Sequence, residues 1–148
     1  MRDILNLISA RTPEMYAAQF KNGTDALSWM EAQEDGMLNA MDANDYVYQT
    51  FAYERHDVGT TPGFNGDTAR ALASIKAKTL IMTGTKDLLN PEFEPIEAGK
   101  NIVGVKMLTI SPGTITGHAS AGGAIAADVE FLNRETATFL ESVKPGAR

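Results

Sequence analysis

At 148 residues, 43% of them hydrophobic and 22% charged, the chain has the length of one domain and enough apolar side chains to bury a core. A formal net charge of -6 repels a nucleic-acid backbone or an anionic membrane surface as partner, and no apolar run approaches the roughly 20 residues of a spanning helix. With no cysteine, disulfides, a thiolate nucleophile and zinc–thiolate sites are excluded.

In chain order, residues 1–10 contain Asp3 and Asn6, which interrupt the apolar core that a signal peptide needs, so a cytoplasmic chain is expected. The first sixty residues read as helices. Thr12-Pro13-Glu14 is a start signal: a hydroxyl cap, proline at the first helical position and an acid in the first turn. Asn22-Gly23 should end that helix, and Thr24 or Asp25 should cap the next. There Leu27, Met30, Met37, Leu38 and Met41 recur at roughly helical spacing, opposite a solvated face of Glu31, Glu34 and Asp35. Asp42, with Asp45 three residues on, opens a third helix expected to reach Arg55.

Gly59, Pro62, Gly63 and Gly66 then break the pattern, and they mark a loop or a boundary between layers. Asp67 should cap a short helix ending near Ile75. The run 79–84 (Thr-Leu-Ile-Met-Thr-Gly) reads as a buried strand, and it delivers Asp87 just past its carboxyl end, where open α/β sheets gather ligands and catalytic groups. Asn90-Pro91-Glu92 is a fresh helix start that Pro95 should keep short. A second strand is expected over 105–110, then a Gly/Ser/Thr/Pro-rich loop containing His118, then a helix over 125–143. That last helix should carry Val129, Leu132, Phe139, Leu140 and Val143 on one stripe and stop at Pro145-Gly146. Strands alternating with helices predict an α/β fold of βαβα order with a short parallel sheet. Two strands alone cover their edges poorly, which predicts a homo-oligomer, most simply a dimer.

The segments Asp42-Ala-Asn-Asp-Tyr46, His56-Asp57-Val58, Lys78-Thr-Leu-Ile-Met-Thr-Gly-Thr-Lys-Asp87 and Gly117-His118 resemble the C-terminal half of the homoserine O-acetyltransferase branch of the α/β-hydrolase superfamily. The resemblance runs from about residue 25 to the end. It implies a partial α/β-hydrolase fold, with residues 1–63 as a helical lid-like segment and 64–148 as the portion carrying the triad acid and histidine. By the same resemblance Asp87 is the acid and His118 the general base of a nucleophile–His–acid triad. The implied activity is transfer of an acyl group from acetyl-CoA, a co-substrate and not a resident cofactor, to a small hydroxyl substrate through an acyl-serine. Ester hydrolysis by the same groups is the alternative, and a non-catalytic oligomerising domain is another.

A serine nucleophile needs an imidazole to take its proton and a carboxylate to hold that imidazole in one tautomer. Asp87 and His118 suit the last two tasks. None of Ser9, Ser28, Ser74, Ser111, Ser120 and Ser142 lies in a Gly-x-Ser-x-Gly elbow, and Ser120, in His118-Ala-Ser-Ala-Gly122, comes nearest. The expectation is therefore a truncated relative or a piece of a longer enzyme, inactive alone. Against these roles stand plainer readings: Asp87 as a turn residue, His118 as a surface residue, and His56-Asp57 as a helix end. Gly117, Gly122 and Gly123 lack the lysine and the spacing of a phosphate cradle. Asp42 and Asp45 could hold a hard cation weakly, but no metal site is expected.

Overall fold

The computed structural model describes residues 10–40 and 42–144, leaving aside the side chains of Met37 and Leu38. The reading of residues 1–9, the side chains of Met37 and Leu38, all of Met41 and the Pro145-Gly146 stop lie outside the described residues.

The helical start at Thr12 forms as the sequence dictates. Helix α1 spans Pro13–Gln19, and the Thr12 hydroxyl accepts the Met15 N–H at its N-terminus. Helix α2 spans Gly23–Ala40. Its cap is Asn22, whose side-chain oxygen accepts the Asp25 N–H at 3.0 Å while its amide donates to the Asp25 carboxylate. Neither Thr24 nor Asp25 is the cap, because a preceding Asn can satisfy the first-turn donors itself. Leu27 is exposed, so the expected apolar stripe does not bury there. The contact between the two helices is aromatic: Trp29 packs against Tyr16 and Phe20 with ring centroids 6.1 and 5.4 Å away, and Arg11 lies over the Trp29 ring. Burial in this cluster raises the Tyr16 pKa.

Helix α3 spans Ala43–Arg55, capped by Asp42 through the Asn44 N–H. After it Asp57 accepts the Gly59 N–H and the Thr68 hydroxyl, so this acid builds a turn and is not paired with His56. Helix α4 spans Thr68–Ala73, with the Asp67 carboxylate on the Arg70 N–H. Strands β1 (Leu80–Gly84) and β2 (Lys106–Ile110) pair in parallel, with Leu80 opposite Lys106 and Gly84 opposite Ile110. Helix α5, Phe93–Gly99, crosses between them. Pro95 is tolerated because it falls in the first turn, where N–H groups have no intrahelical partner anyway.

Helix α6 spans Ala126–Ser142. It corrects part of the expected stripe: Leu132 and Phe139 are half-buried, but Val129, Leu140 and Val143 are exposed, and the fully buried residue of this helix is Asp128. A 3₁₀ turn over Gly117–Gly122 lies within the segment expected to be loop, and β1 packs against it. The described core is unusually polar. Only Ala10, Ala71, Ile102 and Ile110 are buried hydrophobic residues, whereas Thr12, Thr83, Thr114, Thr116, Ser120 and Asp128 are buried polar ones. No described helix is long and apolar enough to cross a membrane.

Candidate active site

Two strand ends place the two groups. Just past β1 the chain turns sharply at Lys86, a non-glycine residue with φ of 58°, a conformation that costs energy and is held by its surroundings. The Lys86 ammonium pairs with Glu14 of α1 at 2.5 Å, and this hydrogen bond holds the Glu14 carboxyl below the ordinary glutamate value. Asp87 follows. One of its oxygens, Oδ1, accepts the N–H groups of both Leu89 (2.9 Å) and Asn90 (2.8 Å). Two bonds on one oxygen fix the plane of the carboxylate, and Oδ2 then meets His118 Nδ1 at 2.9 Å. The Asp87 side chain is 7% exposed and that of His118 is 32% exposed. The acid is thus shielded, and the imidazole is reachable.

His118 begins its 3₁₀ turn just after Gly117, whose φ is 59°. A Cβ on Gly117 would sit 3.1 Å from both the Lys86 carbonyl oxygen and the Thr12 methyl, so glycine is required by conformation and by space together. Residues 10–12 buttress the turn from below: the Ala119 N–H donates to the Ala10 carbonyl, and the Thr12 hydroxyl donates to the Ile115 carbonyl. Asn90 Nδ2 lies 3.4 Å from His118 Nδ1, a long contact beside the short one to Asp87.

Ser120 does not reach the imidazole. It is fully buried, its hydroxyl has no hydrogen-bond partner, and it lies so close under β1 that a Cβ on Gly84 would come within 2.6 Å of it. Among the described residues no serine lies within hydrogen-bond reach of the His118 ring, and Ser9 lies outside them. No three His, Asp or Glu side chains among the described residues converge as metal ligands. The Asp42 carboxylate is engaged as a cap.

Sequence reasoning assigned no part to Asp128, which ties the histidine loop to α6. It is fully buried. Its Oδ2 accepts the Thr116 hydroxyl at 2.7 Å, and the Thr116 and Thr114 hydroxyls are 2.8 Å apart. Its Oδ1 is buried without a partner. The available signal was a Thr-x-Thr in the loop before His118 with an acid in the first turn of the next helix. Asp128→Ala removes the acceptor of the Thr116 hydroxyl, which keeps only Thr114 as a partner in the interior, and is expected to cost about 1–3 kcal/mol. Chemical denaturation checks this, and an unchanged midpoint would mean that water takes the carboxylate's place.

Between α3 and this site lies an open cavity of about 320 Å³. The wall on α3 is made by Tyr46, Gln49, Thr50 and Tyr53, and the facing side by Leu89, Asn90 and His118. Together the parts make an oriented imidazole: Asp87 holds one ring nitrogen, and the ring borders a space into which a small molecule fits.

No protein-family model matches the chain. A homoserine O-acetyltransferase of Corynebacterium glutamicum is 32% identical over 120 residues, which are 80% of this chain and 29% of that enzyme. Among solved structures, that of the acetyl esterase MekB superposes with a TM-score of 0.74 at 24% identity, over 95% of this chain and 40% of that one. The chain therefore spans less than half the length of either.

Proposed function

This chain has part of the α/β-hydrolase fold and is homoserine O-acetyltransferase-like in sequence, and on that premise we propose that it supplies the acid and the base of an acyl-transfer site. In this reading His118 takes the proton of a serine hydroxyl, which none of the described residues provides, as that oxygen attacks a thioester such as acetyl-CoA. The thiol leaves with the proton, and the acyl-serine then passes its acyl group to a small hydroxyl acceptor, whose proton His118 accepts and returns to the departing serine oxygen. Asp87 keeps the Nδ1 proton on its side of the ring and offsets the positive charge that His118 carries in each transition state. Residues 1–63 act as a lid-like segment over the portion 64–148, since α3 walls the cavity while Asp87 and His118 come from the later part.

The observation that carries the reading is the 2.9 Å contact from His118 Nδ1 to a carboxylate already fixed by two backbone N–H groups. A second reading, ester hydrolysis with water as the acceptor, is favoured by the likeness in fold to an acetyl esterase.

Asp87→Asn tests the orienting role without loss of shape. The amide oxygen can keep the Leu89 and Asn90 bonds, which turns the NH₂ toward Nδ1 and forces that nitrogen to accept. At a pH where the ring is neutral, His118 is expected to hold its proton on Nδ1 in the original chain and on Nε2 in the variant, read from nitrogen chemical shifts. An unchanged tautomer would remove Asp87 from the role of orienting acid.

A further inference from the structure

Asp87 and His118 sit on two turns that the sheet alone does not hold together. The parallel pairing ends with Gly84 opposite Ile110, before either side chain is reached. Between β2 and His118 the chain passes Gly113 and Gly117, both at positive φ, and glycine gives up more conformational freedom on ordering than any other residue. Something else must fix the distance between the acid's turn and the histidine's turn.

The short segment that leads into α1 touches both. The Ala10 carbonyl accepts the Ala119 N–H at 3.2 Å, and the Thr12 hydroxyl donates to the Ile115 carbonyl, so these two bonds bracket His118 along the chain. Beside Gly117 the Thr12 methyl and the Lys86 carbonyl oxygen each stand 3.1 Å from where a Cβ would be. The lead into α1, the acid's turn and the histidine's turn therefore meet at one point. Glu14, two residues past Thr12, pairs with Lys86 at 2.5 Å, immediately before Asp87. The two ties are unequal. Thr12 is 2% exposed, whereas the Glu14 and Lys86 side chains are each 50% exposed, so solvent screens the ion pair and the buried hydroxyl bond counts for more.

We propose that Thr12 is a positioning residue for the acid–base pair: its hydroxyl holds the His118 turn where Nδ1 meets Asp87, and Glu14 is a weaker outer tie on the acid's turn. The proposal rests on the acyl-transfer reading of the site and deepens it. Capping α1 uses the Thr12 oxygen as an acceptor, while the bond that reaches the site uses its proton.

Nitrogen chemical shifts of the His118 ring in the purified 148-residue chain, at a pH where the ring is neutral, test it through the ratio of the Nδ1–H to the Nε2–H form. Thr12→Val keeps the branched shape and loses the hydroxyl, and the ratio is expected to fall about fivefold or more, because a buried carbonyl loses its donor and the turn shifts. Thr12→Ser restores the hydroxyl and should return the ratio to that of the original chain. Asp67→Ala removes the cap of α4, a comparable loss of stability, and should leave the ratio alone. Glu14→Gln alters a half-exposed pair, so it keeps the fold, and should lower the ratio by a smaller factor. An unchanged ratio in Thr12→Val would overturn the proposal, as would an equal fall in Asp67→Ala or in Thr12→Ser. If Thr12→Val does not fold, Glu14→Gln decides, and an unchanged ratio there counts against the proposal. Failure of the acid–base reading looks different: the original chain would then carry its proton on Nε2, or Asp87→Asn would leave the tautomer where it was, whereas failure of the Thr12 role alone leaves the response to Asp87→Asn intact.

Discussion

The purified 148-residue chain is expected to hydrolyse p-nitrophenyl acetate no faster than free imidazole at equal concentration, and to transfer no acetyl group from acetyl-CoA to homoserine. The described residues place an acid on a base and no hydroxyl on the base. Ser120 is sealed under β1 without a partner. The Ser74, Ser111 and Ser142 hydroxyls each donate to a backbone carbonyl, of Ala71, Ala127 and Phe139 respectively. Loss of the nucleophile from a triad that works as a unit removes about six orders of magnitude in rate, and loss of the oxyanion donors removes about two to three more. An oriented imidazole by itself therefore offers little beyond what imidazole does in water. Turnover that exceeds the imidazole control and disappears in His118→Ala would overturn this, because a nucleophile would then have to lie within this chain.

The legible parts of this fold are those in which local chemistry decides. The runs 79–84 and 105–110 are short, apolar and bounded by breakers, so strand was the better reading. A βαβ connection then makes the pair parallel, which puts Asp87 and the loop to His118 at the same edge. Thr12, Asp42 and Asp67 announced their helices because a side-chain oxygen before a helix has one obvious use. The misread parts depend on what lies across the fold. Val129, Leu140 and Val143 make a plausible apolar stripe, yet α6 meets the histidine loop through Asp128, and an acid in a first turn reads from sequence as a solvated dipole partner. The segment 10–12 reads from sequence only as the lead into α1, with Thr12 as its cap. Its carbonyl and hydroxyl in fact support the turn that carries His118, a contact over 103 residues for Thr12 that no local pattern could announce.

The last expectation concerns association, and it follows from how little apolar surface the described residues hide. Parallel strands are normally covered on both faces and continued by neighbours, but among the described residues β1 and β2 have only each other, so each leaves an edge of donors and acceptors open to another chain. On α3, Val47 and Phe51 stand four residues apart on one face and are 47% and 42% exposed, with Tyr48 beside them; Leu88, Phe93 and Ile96 are exposed as well. Apolar area of this kind gains roughly 25 cal/mol per Å² when removed from water, and a stable interface needs about 800 Å² from each partner. The surface is therefore expected to be satisfied by a second copy in a two-fold dimer that pairs strand edges or covers the α3 faces. Size-exclusion chromatography with light scattering at micromolar concentration should give twice the 15.9 kDa of one chain. If α3 forms the interface, Val47→Lys with Phe51→Glu should return the peak to one chain, whereas pairing through strand edges would leave the dimer intact. A sharp, soluble peak at the mass of a single chain before any substitution would show instead that the protein tolerates its open sheet and exposed helix face unaided, and the case for association would fall with it.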